Sequence, residues 1–265
     1  MRGTSVRIFI IMHIFILAVS LLSMGVASAF AENVTYMDDK TPLTGYLVKA
    51  DNAAPKPPGV LILPAWKGID EHGKDSADKL GKLGYISLVA DIYGTAGKPI
   101  EMKQAMEFSG YYKEHFEAYQ KRIRLALDEL VRQGADANRL AIVGYCFGGT
   151  GALEAARGNL PVRGVISVHG GLAKDAARPN GAITPKVLIL HGADDPHVSA
   201  ESITACMNEM REGKADWQMI WYADAVHSFS DPNAGNDKSK GAAYNPIAAR
   251  RSWEHMKLFL KELFE

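Results

Sequence analysis

The residues with the most chemical potential stand in three short stretches. In Gly144-Tyr145-Cys146-Phe147-Gly148-Gly149 a cysteine has a glycine two positions to either side. An apolar run at 140–143 precedes it, and a helical pattern begins near Gly149. A strand–turn–helix of this kind lifts a nucleophile onto a tight bend, with glycines where side chains would collide across the turn. The N-terminus of the following helix faces the sulfur and favours its thiolate. The second stretch, His191-Gly192-Ala193-Asp194-Asp195-Pro196-His197-Val198, follows an apolar run at 187–190 and offers two acids. The spacing Gly192-x-x-Asp195-x-x-Val198 favours Asp195 as the group that orients an imidazole, with Asp194 the alternative and better suited to a turn or cap. His191 and His197 adjoin the acid in the chain and suit packing or loop hydrogen bonds. The third stretch, Ala225-Val226-His227-Ser228-Phe229, follows the last apolar run and supplies His227 as a base. The chemistry these side chains support is acyl transfer: attack by sulfur on a carbonyl, proton transfer by imidazole, and orientation by carboxylate.

Each of these stretches needs a scaffold element behind it, and the pattern along the chain provides one. Residues 33–37 and 43–49 read as a hairpin turning at Asp38-Asp39-Lys40. Runs at 59–63, 85–90, 140–143, 164–168, 187–190 and 218–222 have the length and composition of buried parallel strands. Helical periodicity falls between them at 76–83, 111–133, 149–156, 200–212 and 248–264. In the longest, Ala118, Ile123, Ala126, Leu127, Leu130 and Val131 share one face. Strands alternating with helices imply a mostly parallel central sheet covered on both faces. The polar stretch 235–241 reads as a surface loop, and residues 32–265 as a single domain.

The N-terminus has a different character. Arg2 and Arg7 precede an apolar run from Ile8 to about Val26, followed by the small-x-small sites Ala27-Ser28-Ala29 and Ala29-Phe30-Ala31. This is the layout of a secretory signal peptide spanning residues 1–31, and an uncleaved membrane anchor is the alternative. Cleavage after Ala31 implies a periplasmic or secreted product with no stable membrane insertion. The 30 basic and 30 acidic residues balance, so no basic surface points to nucleic acid. Of the two cysteines, Cys206 recurs with Ile203, Met207 and Met210 at helical spacing and reads as a buried core thiol.

Taken together, the three stretches, with Ala90-Asp91-Ile92-Tyr93-Gly94 and the closing helix around Trp253, resemble the dienelactone hydrolase family of α/β-hydrolases over nearly all of residues 33–265. The chain order nucleophile, acid, histidine is that of the α/β-hydrolase fold. The resemblance implies a Cys146, Asp195 and His227 triad and cleavage of a small-molecule ester or lactone through a thioacyl-enzyme. Backbone N–H groups of Phe147 and of Ala65 or Trp66 would bind the oxyanion. Trp66, Tyr93, Tyr145 and Phe229 are candidate pocket walls, with core packing as the plain alternative. No metal cluster, phosphate loop or dinucleotide fingerprint is present, so no cofactor is expected; a monomer or small homo-oligomer is.

Departures from the family pattern bear on the substrate. Members carry a Glu after the third strand that interacts with the resting Cys, where this chain has Ala65. They hold a substrate carboxylate with arginines at places occupied here by Gly94-Thr95 and by Ser230-Asp231. Thr and Asp do not replace a bidentate clamp, and Lys67 or Lys98 would act only as point charges. A neutral ester or lactone is therefore the expected substrate. The other readings are a thioesterase or peptidase-like acyl hydrolase, and a binding or redox-sensing protein with a non-catalytic Cys146.

Overall fold

The apolar runs become the strands of one eight-stranded sheet in the computed structural model, which describes residues 29–50 and 55–265. The elements run β1 (Ala29–Asp38), β2 (Thr41–Ala50), β3 (Gly59–Leu63), α1 (Glu71–Lys82), β4 (Ile86–Val89), α2 (Met102–Glu114), α3 (Phe116–Arg132), β5 (Leu140–Tyr145), α4 (Phe147–Arg157), β6 (Gly164–Val168), β7 (Lys186–Gly192), α5 (Ala200–Glu212), β8 (Trp217–Tyr222) and α6 (Pro246–Phe264). The sheet order is β1-β2-β4-β3-β5-β6-β7-β8. Strands β3 to β8 pair in parallel, and the β1–β2 hairpin adds antiparallel to β4. The leader expected over residues 1–31 lies outside the described residues except for Ala29, Phe30 and Ala31, which open β1 opposite Ala50, Lys49 and Val48.

Side-chain alternation along the central strands splits the core in two. Leu61 and Leu63 of β3 and Ile142 of β5 pack with Ile123, Leu127 and Leu130 of α3 and Leu153 of α4. Val60 and Ile62, with Ala141 and Val143, face the other way, onto Ala77 and Leu80 of α1 and Met256, Phe259 and Leu260 of α6. Both faces of the sheet are thus covered, and the loops that carry chemistry gather at the C-terminal ends of β3, β5, β7 and β8.

The helix expected over 111–133 is two helices. His115 leaves helical geometry at φ −113° and ψ 69°, ending α2 and starting α3. Its ring Nδ1 lies 2.8 Å from the Tyr111 carbonyl oxygen and its backbone N–H donates to the same oxygen at 2.8 Å, so the side chain caps the break. α2 begins at Met102, well before the expected start. Caps extend two further helices toward their N-termini. The Asp70 carboxylate accepts from the Gly73 N–H at 2.9 Å ahead of α1, and Asn245 accepts from Ile247 and Ala248 ahead of α6. The 235–241 loop includes one turn of 3₁₀ helix at Lys238–Lys240.

Candidate active site

Strand β5 delivers Cys146 to the first residue beyond its end, and α4 starts at the next residue. Cys146 holds φ 55° and ψ −113°, a conformation L-residues rarely adopt and one that strains the backbone. Two glycines make the turn possible. A Cβ on Gly144 would fall 1.8 Å from the Gly148 carbonyl oxygen, and one on Gly148 would fall 2.0 Å from the carbonyl oxygen of Leu63. The second contact presses the elbow against the end of β3, which brings the 64–66 backbone beside the sulfur.

His227 meets the cysteine from the loop after β8. Its Nε2 lies 3.0 Å from Cys146 Sγ, and its Nδ1 lies 2.8 Å from Asp195 Oδ2. The 235–241 loop fixes its backbone: His227 N–H donates to the Gly241 carbonyl, and Ala243 N–H donates back to the His227 carbonyl. Asp195 is buried at the end of β7, and its other oxygen accepts the His197 N–H at 2.9 Å. Asp194, the alternative acid, is exposed. Burial alone would lower the His227 imidazole, but hydrogen bonds and charges from Asp195 and Cys146 overcome it and push the ring up to about 10. Burial works against the ionised Asp195 carboxylate as well, and the His227 hydrogen bond and charge hold it below its ordinary value.

A cleft of about 370 Å³ opens over the sulfur, lined by Trp66, Met106, Ser109, Gly110, Lys113, Cys146 and Phe147. Met106, Ser109, Gly110 and Lys113 form one face of α2. The N–H groups of Ala65, Trp66 and Phe147 make no hydrogen bond to another described residue, so they are free to bind an oxyanion. A larger cavity of about 610 Å³ shares Lys113 with this cleft and passes Thr150, His197 and Val198.

The other expected wall residues are distributed differently. Tyr93 stacks on Phe147 at 5.8 Å and donates its hydroxyl proton to the Trp66 carbonyl at 2.9 Å, buttressing the cleft from behind. Tyr145 and Phe229 do not line it. Tyr145, one residue before the elbow, projects to the opposite side and bonds Ser76 Oγ at 2.8 Å. Phe229 is fully buried in the core between the sheet and α6. Lys98 lines a separate cleft with Tyr46 and Asp91, and Lys67 lies 5.5 Å over the Trp66 ring.

Two parts of the site, α2 and His169, are not apparent from the sequence pattern. His169 follows β6 at φ 40°, is buried, and accepts the Cys146 N–H on Nδ1 at 3.2 Å. Its ring also meets the His227 ring edge-on at 5.3 Å. Burial, reinforced by the nearby His227 charge, holds it well below the usual imidazole range and so neutral. The local signal is a histidine before a Gly-Gly pair at the end of an apolar run, which does not by itself show that β6 lies beside the strand carrying the cysteine. Cys206 is free and buried, and burial pushes its thiol up to about 11.

A mostly parallel sheet with both faces covered, a strained turn after β5, an acid after β7 and a histidine after β8 define an α/β-hydrolase. A model of the dienelactone hydrolase family matches residues 43–264, and the chain belongs to that family. A solved structure, a dienelactone hydrolase-like promiscuous phosphotriesterase, P91, from metagenomic libraries, is 36% identical with a TM-score of 0.84, covering 90% of this chain and 100% of its own. A second, named m3DLH, is also 36% identical, with a TM-score of 0.85 and the same coverage. A protein of Bradyrhizobium sp. named "Probable 2-oxo-3-(5-oxofuran-2-ylidene)propanoate lactonase" is 26% identical over 215 residues, 77% of this chain and 83% of the relative.

Proposed function

We propose that this enzyme cleaves a neutral carboxylic ester or lactone through Cys146, with His227 as proton carrier and Asp195 as its orienting anion. The observation that carries the reading is the unbroken line Sγ–Nε2 at 3.0 Å and Nδ1–Oδ2 at 2.8 Å. His227 takes the Cys146 proton and the sulfur attacks the carbonyl carbon. The oxygen gains the negative charge and is met by the N–H of Phe147 and that of Ala65 or Trp66; each such donor is worth about 100- to 1000-fold in rate. Collapse breaks the C–O bond, and His227 protonates the departing alkoxide. A water then gives its proton to His227 and attacks the thioacyl carbon, returning the acid and the free thiol.

Neutrality of the substrate rests on the cleft. Apart from the sulfur, its lining is Trp66, Met106, Ser109, Gly110 and Phe147, with one charged group, the exposed Lys113. A single solvated ammonium offers no bidentate grip on a carboxylate, and the Arg178 guanidinium of the adjoining cavity is engaged by Glu154. The test is turnover of p-nitrophenyl acetate against a carboxylated lactone, with Cys146→Ala as control. The reading requires a clear preference for the neutral ester and its loss in the variant; the opposite preference refutes neutrality, and turnover surviving in Cys146→Ala refutes the nucleophile. Iodoacetamide labelling of Cys146 without turnover on any ester would favour a redox or binding role instead. We also propose, on the pattern of residues 1–31, that the chain is exported. Recovery of the intact leader on cytoplasmic protein alone would overturn this.

A further inference from the structure

His169 makes contact with the nucleophile through its backbone. A backbone N–H can only donate, so the His169 Nδ1 that lies 3.2 Å from Cys146 N carries no proton. The ring proton is then on Nε2, which lies 2.8 Å from Ser230 Oγ and donates to it. The Ser230 hydroxyl has its own proton left to give, and His72 Nε2 lies 3.4 Å away to receive it. His72 in turn stands edge-on to the ring of Tyr145 at 4.4 Å, on the wall of a cavity of about 220 Å³. Two neighbouring strained residues, Cys146 at φ 55° and His169 at φ 40°, are thus joined by one hydrogen bond. The Cys146 N–H also points at the Val168 carbonyl at 3.1 Å, so the imidazole is the second half of a shared bond.

We propose that His169 is a positioning residue for Cys146, and that Ser230, backed by His72, selects the ring tautomer that lets it hold the elbow. The proposal rests on Cys146 being the nucleophile. Without the Ser230 oxygen, the Nε2 proton loses its buried acceptor, and the bias toward the tautomer that accepts at Nδ1 and holds the ring against the elbow weakens. Wherever the ring switches tautomer or turns, the elbow loses its acceptor, and the sulfur shifts relative to His227. Substrate binding in the α2 cleft is untouched, because neither His169 nor Ser230 lines it.

Asparagine separates this role from mere packing. Its Oδ1 stands where the histidine Nδ1 stands, it tolerates positive φ, and its amide has no tautomer to select. The experiment is a double-mutant cycle on kcat and KM with a neutral aryl ester, run beside Cys146→Ala. Ser230→Ala is expected to lower kcat about tenfold with KM unchanged, the size of one unsatisfied buried donor. His169→Asn is expected to stay within about threefold of the parent, and adding Ser230→Ala to it to cost less than about twofold more. An equal loss from Ser230→Ala in both backgrounds, no loss in either, or a loss above tenfold from His169→Asn alone overturns the proposal. Turnover surviving in Cys146→Ala would instead bring down the nucleophile assignment beneath it.

Discussion

Gly144→Ala puts the elbow itself to the test. The added methyl carbon would sit 1.8 Å from the Gly148 carbonyl oxygen, 2.2 Å from its carbon and 2.7 Å from the Gly149 nitrogen, all backbone atoms. Ordinary contact begins at 3.4 Å, so the turn must open by about 1.5 Å, and no side-chain rotation relieves it. Movement on that scale separates Sγ from Nε2, now 3.0 Å apart. A misplacement of about 1 Å costs on the order of 100-fold in rate, and a loss of that size or more in kcat is expected. Overpacking of this kind also costs about 1–3 kcal/mol, a fall of roughly 2–12 °C in Tm for a chain of this length. Steady-state turnover of an aryl ester and a thermal melt measure the two effects separately. Gly181→Ala serves as the control, since a Cβ there meets nothing within 4 Å, and both quantities should stay near the parent. A Gly144→Ala protein with parental kcat would show that the sharp turn does not hold the sulfur in its working place.

Other consequences are as direct. Asp195→Asn leaves the buried site without its anion and should cut kcat by at least about 100-fold, whereas Asp194→Asn, at an exposed position, should leave kcat within about twofold. The folded-state value of His227 is raised from 6.5 to about 10, so its contribution to stability is complete below pH 6.5 and disappears as pH rises through about 10. Urea unfolding across that window should show stability falling, with the fall moved to lower pH in Cys146→Ala, which lacks one of the groups that raises the imidazole. Iodoacetamide near neutral pH should modify Cys146 and spare Cys206, which is buried with its thiol pushed up to about 11; mass mapping of the two peptides reads the outcome. Arg157, buried between Glu154 and Glu209 with contacts of 2.8 Å to each, braces α4 against α5; Arg157→Ala should cost about 3–5 kcal/mol in chemical denaturation by stranding the buried Glu209 carboxylate, while Glu154 keeps Arg178.

What could be read from the chain and what could not divides along physical lines. The placement of Cys146, Asp195 and His227 is legible because each lies in the short loop after an apolar run bounded by turn residues, beyond β5, β7 and β8. The glycines at 144 and 148 are legible because a tight turn excludes a Cβ, and that rule is local. His169 is not, since its role arises from β6 lying beside β5, a neighbour relation absent from any window of sequence. The break at His115 escapes because the apolar period continues across it, while the break itself lies in the backbone angles of one residue, whose ring and N–H both meet the Tyr111 carbonyl. The face of α2 that lines the cleft escapes because only Ala105, Ser109 and Tyr112 of that helix are buried and its apolar period is weak, whereas the rings of Tyr145 and Phe229 are spent on packing. Caps such as Asp70 and Asn245 lie outside the amphipathic period and account for the helix starts that periodicity placed too late.

The break at His115 has an evolutionary corollary. Of its thirteen residues α2 buries Ala105, Ser109 and Tyr112, whereas α3 is rooted in the core through residues such as Ile123, Ala126, Leu127 and Leu130. Turning the chain between them uncouples the roof of the cleft from the foundations of the sheet. Replacements at Met106 or Lys113 can reshape what the enzyme admits while leaving the reacting atoms where they are, so new substrate preferences are accessible to this lineage through one shallowly anchored helix.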